Sequence, residues 1–91
     1  MPDKRFHAFF SGRVQGVGFR FTAQSLANNL KISGWVRNTD DDRVEIVAQG
    51  QDKKLDDFLS QLKGYFGRYI KNIEIDWGEP IKEGADFEIK F

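Results

Sequence analysis

Apolar side chains recur with two different periods in the first third of the chain. Phe6, Ala8 and Phe10 occupy every second position, and this period of two predicts a strand with one face in a core. Spacings of three and four follow, and they predict an amphipathic helix that ends near Lys31. The apolar face of that helix consists of Phe19, Ala23, Leu26, Ala27 and Leu30. Between the strand and the helix, residues 11–18 contain three glycines and are predicted to form a loop.

A hairpin is predicted around the acidic turn at residues 40–42. The strand before this turn begins at Gly34 and Trp35 and runs to Asn38. In the strand after the turn, alternate residues face one side (Val44, Ile46, Ala48) or the other (Glu45, Gln49). Two strands that are joined by a short polar turn form a β-hairpin.

A second helix and two further strands complete the pattern. Asp52 can cap the helix, whose core face consists of Leu55, Phe58, Leu59, Leu62 and Phe66. Alternation then predicts a fourth strand at Ile73, Ile75 and Trp77 and a short final strand at Phe87, Ile89 and Phe91. The order strand, helix, strand, strand, helix, strand is the split βαβ pattern of ferredoxin-like α+β folds. We therefore expect an α/β sandwich with two helices on one face of an antiparallel sheet, plus a short extra C-terminal strand.

Composition narrows the function classes. The chain has 91 residues, which predicts a single domain over 1–91, and 40% hydrophobic with 31% charged residues is typical of a globular protein. The net charge of zero argues against binding to nucleic acid. The absence of cysteine excludes disulfides, thiolate metal sites and a cysteine nucleophile, and is typical of a reducing compartment. The first apolar stretch, residues 6–10, is too short for a signal peptide or a membrane span. We expect a cytoplasmic monomer that binds neither nucleic acid nor membrane.

The glycine-rich loop, SGRVQGVGFR at residues 11–20, carries the candidate chemistry. Gly16 and Gly18 allow backbone conformations that aim successive N–H groups inward, and the start of the following helix adds unpaired donors and a positive dipole end. The planar guanidinium of Arg20 matches phosphate or carboxylate. An anion site is one interpretation, and a tight turn with a solvated arginine is the other.

Other polar residues have competing interpretations. Asn38 can orient a water molecule but cannot act as a base at neutral pH, and its position alone favours the other interpretation, a turn-initiating residue. His7, the only histidine, is expected to be structural or solvated. The acidic run at residues 40–42 lacks the glycine and the following glutamate of a calcium loop, so we expect a solvated turn.

Three blocks of the sequence resemble the acylphosphatase family: SGRVQGVGFR at 11–20, GWVRN at 34–38 and VEIVAQG at 44–50. The resemblance implies the ferredoxin-like fold, in agreement with the pattern of strands and helices. It also implies hydrolysis of acyl phosphates to a carboxylate and inorganic phosphate, with neither metal nor cofactor. The implied partners are a small acyl phosphate substrate and inorganic phosphate, which is both product and inhibitor.

The resemblance also assigns roles to residues. The family's phosphate-binding loop falls on Gln15, Gly16, Val17, Gly18, Phe19 and Arg20. Its catalytic arginine matches Arg20, and its water-orienting asparagine matches Asn38. One departure is Asp42, which stands where the family commonly has glycine. Because aspartate tolerates left-handed backbone geometry, we expect the hairpin to form regardless.

Two alternatives remain on the same fold. Ferredoxin-like domains also bind RNA through aromatic residues on the open sheet face, although the third predicted strand here has no aromatic residue and carries Glu45. The chain is also similar to the acylphosphatase-like module at the front of larger carbamoyl-transfer maturation proteins. Because the sequence ends shortly after the fold is complete, we expect a free-standing enzyme.

Overall fold

Five strands and two helices follow one another in the predicted order. The computed structural model describes residues 3–82 and 86–91, so residues 1–2 and 83–85 of the predicted domain lie outside the described part. The elements are β1 (Lys4–Gly12), α1 (Phe19–Asn29), β2 (Ser33–Asn38), β3 (Val44–Gly50), α2 (Asp52–Phe66), β4 (Ile70–Gly78) and β5 (Phe87–Lys90).

The strands form one sheet in the order β4-β1-β3-β2-β5. The four longer strands pair antiparallel, as predicted, whereas β5 pairs parallel with β2 and makes the sheet mixed. β4 and β5 occupy opposite edges of the sheet, and after β4 the chain reaches β3 at Ile81. There the side-chain amide of Gln49 donates to the carbonyl of Ile81 at 2.8 Å and accepts from its N–H at 2.8 Å.

The core lies between the helices and one face of the sheet. The alternating residues of β1 and β3 share this face, since Phe6 pairs with Ala48 and Phe10 with Val44 in the strand register. Most of the predicted apolar positions are buried or half-buried there, which confirms the period-two and helical patterns, whereas Trp77 in β4 is 45% exposed. The buried residues on this side include Phe6, Ala8, Phe10, Ala23, Ala27, Ile46, Leu55, Phe58, Leu62, Phe66 and Phe87.

Helix boundaries differ from prediction by one or two residues. α1 ends at Asn29, and Lys31 adopts a left-handed φ of 61°, so the predicted end near Lys31 lies two residues too far along. The N-cap of α2 is Gln51, and Asp52 is the first helical residue rather than the cap. The carboxylate of Asp52 instead forms an ion pair with Lys4 at 3.3 Å. Among the described residues, no helix is long and apolar enough to cross a membrane.

The sheet face opposite the helices carries a paired polar network around Glu45. This residue is 5% exposed, and its carboxylate lies 2.6 Å from His7 Nε2 and accepts a hydrogen bond from Arg37 Nε at 2.6 Å. Burial by itself raises the pKa of Glu45, but the hydrogen bonds to Arg37 and His7 outweigh burial and hold that pKa below its usual 4.5. His7 thus has a partner within the sheet, in line with the structural role expected from the sequence.

Candidate active site

The loop between β1 and α1 is shaped by glycines in left-handed backbone conformations. Gly16 has a φ of 76° and Gly18, the N-cap of α1, has a φ of 82°. Neither would have a neighbour within 4 Å of an added Cβ, so the backbone angle and not crowding requires glycine there. The buried side chains of Val14 and Phe19 anchor the two ends of the loop in the core. The segment between them bulges towards solvent.

This segment presents unpaired backbone donors. The N–H groups of Gln15, Gly16 and Gly18 form no hydrogen bond of ordinary geometry with any residue in 3–82 or 86–91. The N–H groups of Phe19 and Arg20 belong to the first turn of α1, which has no intrahelical acceptor for them. Several unpaired amides therefore lie close together in the chain at the positive end of a helix, where backbone N–H groups can hold an anion.

Arg20 stands beside these amides with its charge unpaired. Its side chain is half-buried, and no carboxylate of the described chain lies within ion-pair distance of it. The guanidinium carbon lies 5.2 Å from the ring centroid of Phe91. An aromatic ring on one side of a guanidinium leaves the donors at its edge available to a ligand.

Asn38 reaches the same end of the sheet from β2. β1 and β2 flank β3 and run in the same direction, so the loop after β1 and the turn after β2 lie at one end. Phe10 and Asn38 both pair with Val44, which places them in one row, on the face that the helices cover. Asn38 is half-buried, and its carboxamide makes no side-chain hydrogen bond within the described residues.

A closed turn follows Asn38 directly. The N–H of Thr39 donates to the carbonyl of Arg43 at 2.8 Å, and the N–H of Arg43 donates to the Thr39 hydroxyl at 3.0 Å. The carboxylate of Asp41 pairs with Arg43 Nε at 2.8 Å, and its hydrogen bond with the Thr39 hydroxyl lowers its pKa below the usual value. Asp42 has a left-handed φ of 67°, so the hairpin forms with aspartate in place of glycine, as expected.

Two of the six loop residues predicted to bind phosphate turn their side chains inwards. The ring of Phe19 packs between Phe10 and Phe66, at centroid distances of 5.2 and 4.7 Å. Val17 is half-buried against the same core. These residues can therefore offer an anion only their backbone N–H groups.

Sequence reasoning gave no role at this end of the molecule to Thr39, Arg43 or Phe91. Thr39 and Arg43 close the turn after Asn38, and the side-chain amide of Gln15 donates to the carbonyls of both. A threonine directly after a strand is a known turn former, and this signal could have found Thr39. Phe91 was predicted to continue the alternation of the last strand, but β5 ends at Lys90 and Phe91 is 97% exposed beside Arg20.

The fold and the site together define an α+β protein of the ferredoxin-like class, with a glycine-rich loop that leaves backbone amides available at the start of its first helix. The acylphosphatase family model matches residues 6–89. The chain is 42% identical to an acylphosphatase of Pediococcus pentosaceus, over 97% of this chain and 99% of the relative. It is 44% identical to an acylphosphatase of Pseudomonas aeruginosa, over 92% of each chain. The chain therefore belongs to the acylphosphatase family, whose members are hydrolases.

Solved structures agree with this assignment. The crystal structure of acylphosphatase from Bacillus subtilis matches with a TM-score of 0.87 and 32% identity, over 97% of this chain and 99% of that one. A full-length HypF, crystallised in its phosphate- and nucleotide-bound form, matches with a TM-score of 0.81 and 26% identity. That match covers all of this chain but only 12% of the HypF chain, so the same fold is also part of a much larger protein.

Proposed function

We propose that this acylphosphatase holds the phosphoryl group of its substrate with the backbone N–H groups of residues 15–20 and with the guanidinium of Arg20. Asn38 orients the attacking water molecule. The observation that supports this assignment is a set of groups that have no hydrogen-bond or ion-pair partner among residues 3–82 and 86–91: the N–H groups at the start of α1, the guanidinium of Arg20 and the carboxamide of Asn38. Exposed polar groups without protein partners at one end of the sheet are suited to receive a ligand.

The chemistry of the substrate explains why so few groups suffice. An acyl phosphate is a mixed anhydride, and its leaving group is a carboxylate with a pKa of about 4, as for free carboxylic acids. The leaving group departs without a proton donor. Water oxygen forms a bond to phosphorus while the bond from phosphorus to the acyl oxygen breaks, and the proton of the water passes to an oxygen of the phosphate.

Stabilisation of charge is then the main task of the protein. Negative charge spreads over the phosphoryl oxygens in the transition state, where fixed N–H donors and a bidentate guanidinium bind it. The carboxamide of Asn38 aligns the water with the bond that breaks. Arg20 thus acts on both binding and turnover, whereas Asn38 acts mainly on turnover.

Hydrolysis of acetyl phosphate by two variants tests these roles. We expect Arg20→Ala to lower kcat/KM by roughly 100- to 1000-fold, because a preorganised donor to the developing charge is lost. We expect Asn38→Ala to lower kcat by a similar factor and to leave KM nearly unchanged. If Asn38→Ala instead weakened substrate binding and kept its turnover, the role given to Asn38 would be wrong.

Inorganic phosphate serves as an independent probe of the loop. We expect competitive inhibition by phosphate, with the inhibition constant much weaker in Arg20→Ala and retained in Asn38→Ala. The assays are run with and without a chelator, and equal rates are expected. Loss of activity with the chelator would reveal a metal requirement that this proposal does not contain.

Three further expectations concern the protein as a whole. We infer a single domain over residues 1–91, supported by the one sheet and one core that the described elements share. We also infer a monomer in the cytoplasm, supported by a cysteine-free composition and by exposed apolar side chains that are few in number. Light scattering of the purified protein and fractionation of its host cells test the monomeric state and the location.

A further inference from the structure

The side chain of Gln15 does not point to the anion-binding region; it bridges to the turn that follows β2. Its amide nitrogen donates to the carbonyl of Thr39 at 3.0 Å and to the carbonyl of Arg43 at 2.9 Å. A primary amide has two N–H donors, and both are used here. The two acceptors are 24 and 28 positions away along the chain, so this contact exists only in the folded protein.

The turn that receives these bonds is closed by hydrogen bonds of its own. Thr39 and Arg43 are joined by a backbone hydrogen bond of 2.8 Å, and the Thr39 hydroxyl adds a second link of 3.0 Å to the Arg43 N–H. Their carbonyl groups are therefore held in fixed positions. Because Thr39 directly follows Asn38 in the sequence, any shift of this turn shifts the asparagine as well.

The rest of the loop is attached elsewhere. The N–H of Arg13 donates to the carbonyl of Tyr69 at 2.8 Å, which ties the loop to the start of β4 on the opposite side of β1 from β3. Within the described residues, Gln15 makes the only hydrogen bonds between residues 15–18 and the turn at residues 39–43. Its removal would leave the loop anchored in the core but unconnected to the turn.

We infer that Gln15 is a positioning residue, whose side chain sets the placement of Asn38 relative to the phosphate-binding loop. This inference rests on the proposed function, in which the loop holds the phosphoryl group and Asn38 aligns the water. Misplacement of a reacting group by about 1 Å can cost up to roughly 100-fold in rate even when binding is unaffected. Loss of the Gln15 side chain should therefore reduce turnover more than binding.

The first experiment compares Gln15→Met with a matched control, Gln24→Met. Gln24 lies in α1 and also donates through its amide nitrogen to a backbone carbonyl, that of Phe87 at 3.2 Å, away from Asn38. We expect Gln15→Met to lower kcat for acetyl phosphate by about 10- to 100-fold. The inhibition constant for phosphate should change by no more than about twofold, since transition-state alignment and not ground-state binding is lost. Gln24→Met should keep both values.

A double-mutant cycle shows whether Gln15 acts through Asn38. If it does, Gln15→Met has little further effect on kcat in an Asn38→Ala background, because the group that it positions is already gone. An equal fall in kcat in both backgrounds would overturn the inference and leave the proposed function intact. An Asn38→Ala variant with unchanged kcat would overturn both.

A second variant guards against a merely structural effect. Gln15→Glu keeps the shape of the side chain but replaces two donors with oxygens that face two carbonyl oxygens. We expect a larger fall in kcat than in Gln15→Met, with a circular dichroism spectrum like that of the parent. Full activity in Gln15→Glu would overturn the inference, since the two hydrogen bonds would then have no effect on the reaction.

Discussion

Two arginines, one on the sheet and one at the start of α1, show what separates a paired charge from an unpaired one. Arg37 lies on the face opposite the helices, where its Nε donates to the buried carboxylate of Glu45 at 2.6 Å. Arg20 lies at the start of α1, where no carboxylate of the described residues pairs with it and unpaired amides adjoin it. Both guanidinium groups also lie near an aromatic ring, Arg37 over Trp35 at 5.7 Å and Arg20 over Phe91 at 5.2 Å. The pairing of the charge, and not its presence, therefore distinguishes the two regions.

The physical reason is the cost of leaving polar groups unsatisfied. A buried carboxylate such as that of Glu45 needs partners, and His7 and Arg37 supply them. The amides of the loop lie at the surface, where water can satisfy them until a ligand replaces it. Paired polar groups thus stabilise the sheet, whereas unpaired and accessible ones are available for binding.

The largest expected effect comes from replacing Arg20 with lysine, and the same replacement of Arg37 is its control. We expect Arg20→Lys to lower kcat/KM for acetyl phosphate by about 100-fold, because an ammonium group lacks the planar fork that binds two phosphoryl oxygens. Arg37→Lys, the matched control, should keep full activity. Steady-state kinetics of both variants measure this difference. Equal losses of kcat/KM in the two variants would show that the paired and the unpaired arginine do not differ in their effect on the reaction.

The next largest effect concerns the polar network around Glu45. It should appear in the free energy of unfolding and not in the activity. We expect Glu45→Ala to lower the free energy of unfolding by about 1–2 kcal/mol, through the loss of two hydrogen bonds to charged groups. The loss is limited because the side chains of His7 and Arg37 are 41% and 51% exposed and can return to water. Urea denaturation measures the change, and kcat should remain that of the parent. A catalytic defect in this variant would connect the network to the site.

A smaller effect is expected from the glycine that begins α1. Gly18→Ala places a side chain at a φ of 82°, which costs about 1–2 kcal/mol, and the resulting shift of the loop amides should also weaken inhibition by phosphate. Gly64→Ala is the control, since Gly64 lies inside α2 with no atom within 4 Å of an added Cβ. That change should stabilise the protein by about 0.5–1 kcal/mol and leave catalysis unaltered. Thermal unfolding and phosphate inhibition of both variants provide the comparison.

The smallest effect is a pH dependence of stability from Glu45. Its folded-state pKa is lowered below 4.5, so its contribution to stability is fully present above the unfolded-state pKa and is lost as the pH falls through the folded-state value. We expect the difference in Tm between the parent and Glu45→Gln to shrink as the pH falls below the unfolded-state pKa and through the lower folded-state pKa of Glu45. A difference that stayed the same down to pH 3 would show that the ionised carboxylate contributes nothing to stability.

Local features of the site could be predicted from the sequence. The conformation of the loop depends on Gly16 and Gly18, and the donors of α1 depend on where the helix starts, so both follow from neighbouring residues. The period of two in β1 and the helical spacing in α1 likewise identified the core faces, because burial on one face imposes that pattern. Asp42 could be expected to adopt a left-handed φ for the same local reason.

Contacts between distant segments could not be predicted in this way. The bridge from Gln15 to the turn after Asn38 and the ring of Phe91 beside Arg20 depend on how strands and loops meet in space. The final strand was expected from its alternation, but its parallel pairing with β2 was not, since a period of two is the same in both directions.

The sequence by itself determined the elements, their order and the chemical groups of the loop, because these depend on spacing and on backbone preferences within a few residues. Only the tertiary structure decided which polar groups are paired. Glu45 has partners 38 and 8 positions away, whereas Arg20 has no carboxylate partner in the described chain, and nothing in the neighbouring residues distinguishes these outcomes. Pairing depends on strand register and sheet order, which arise from the packing of the whole core.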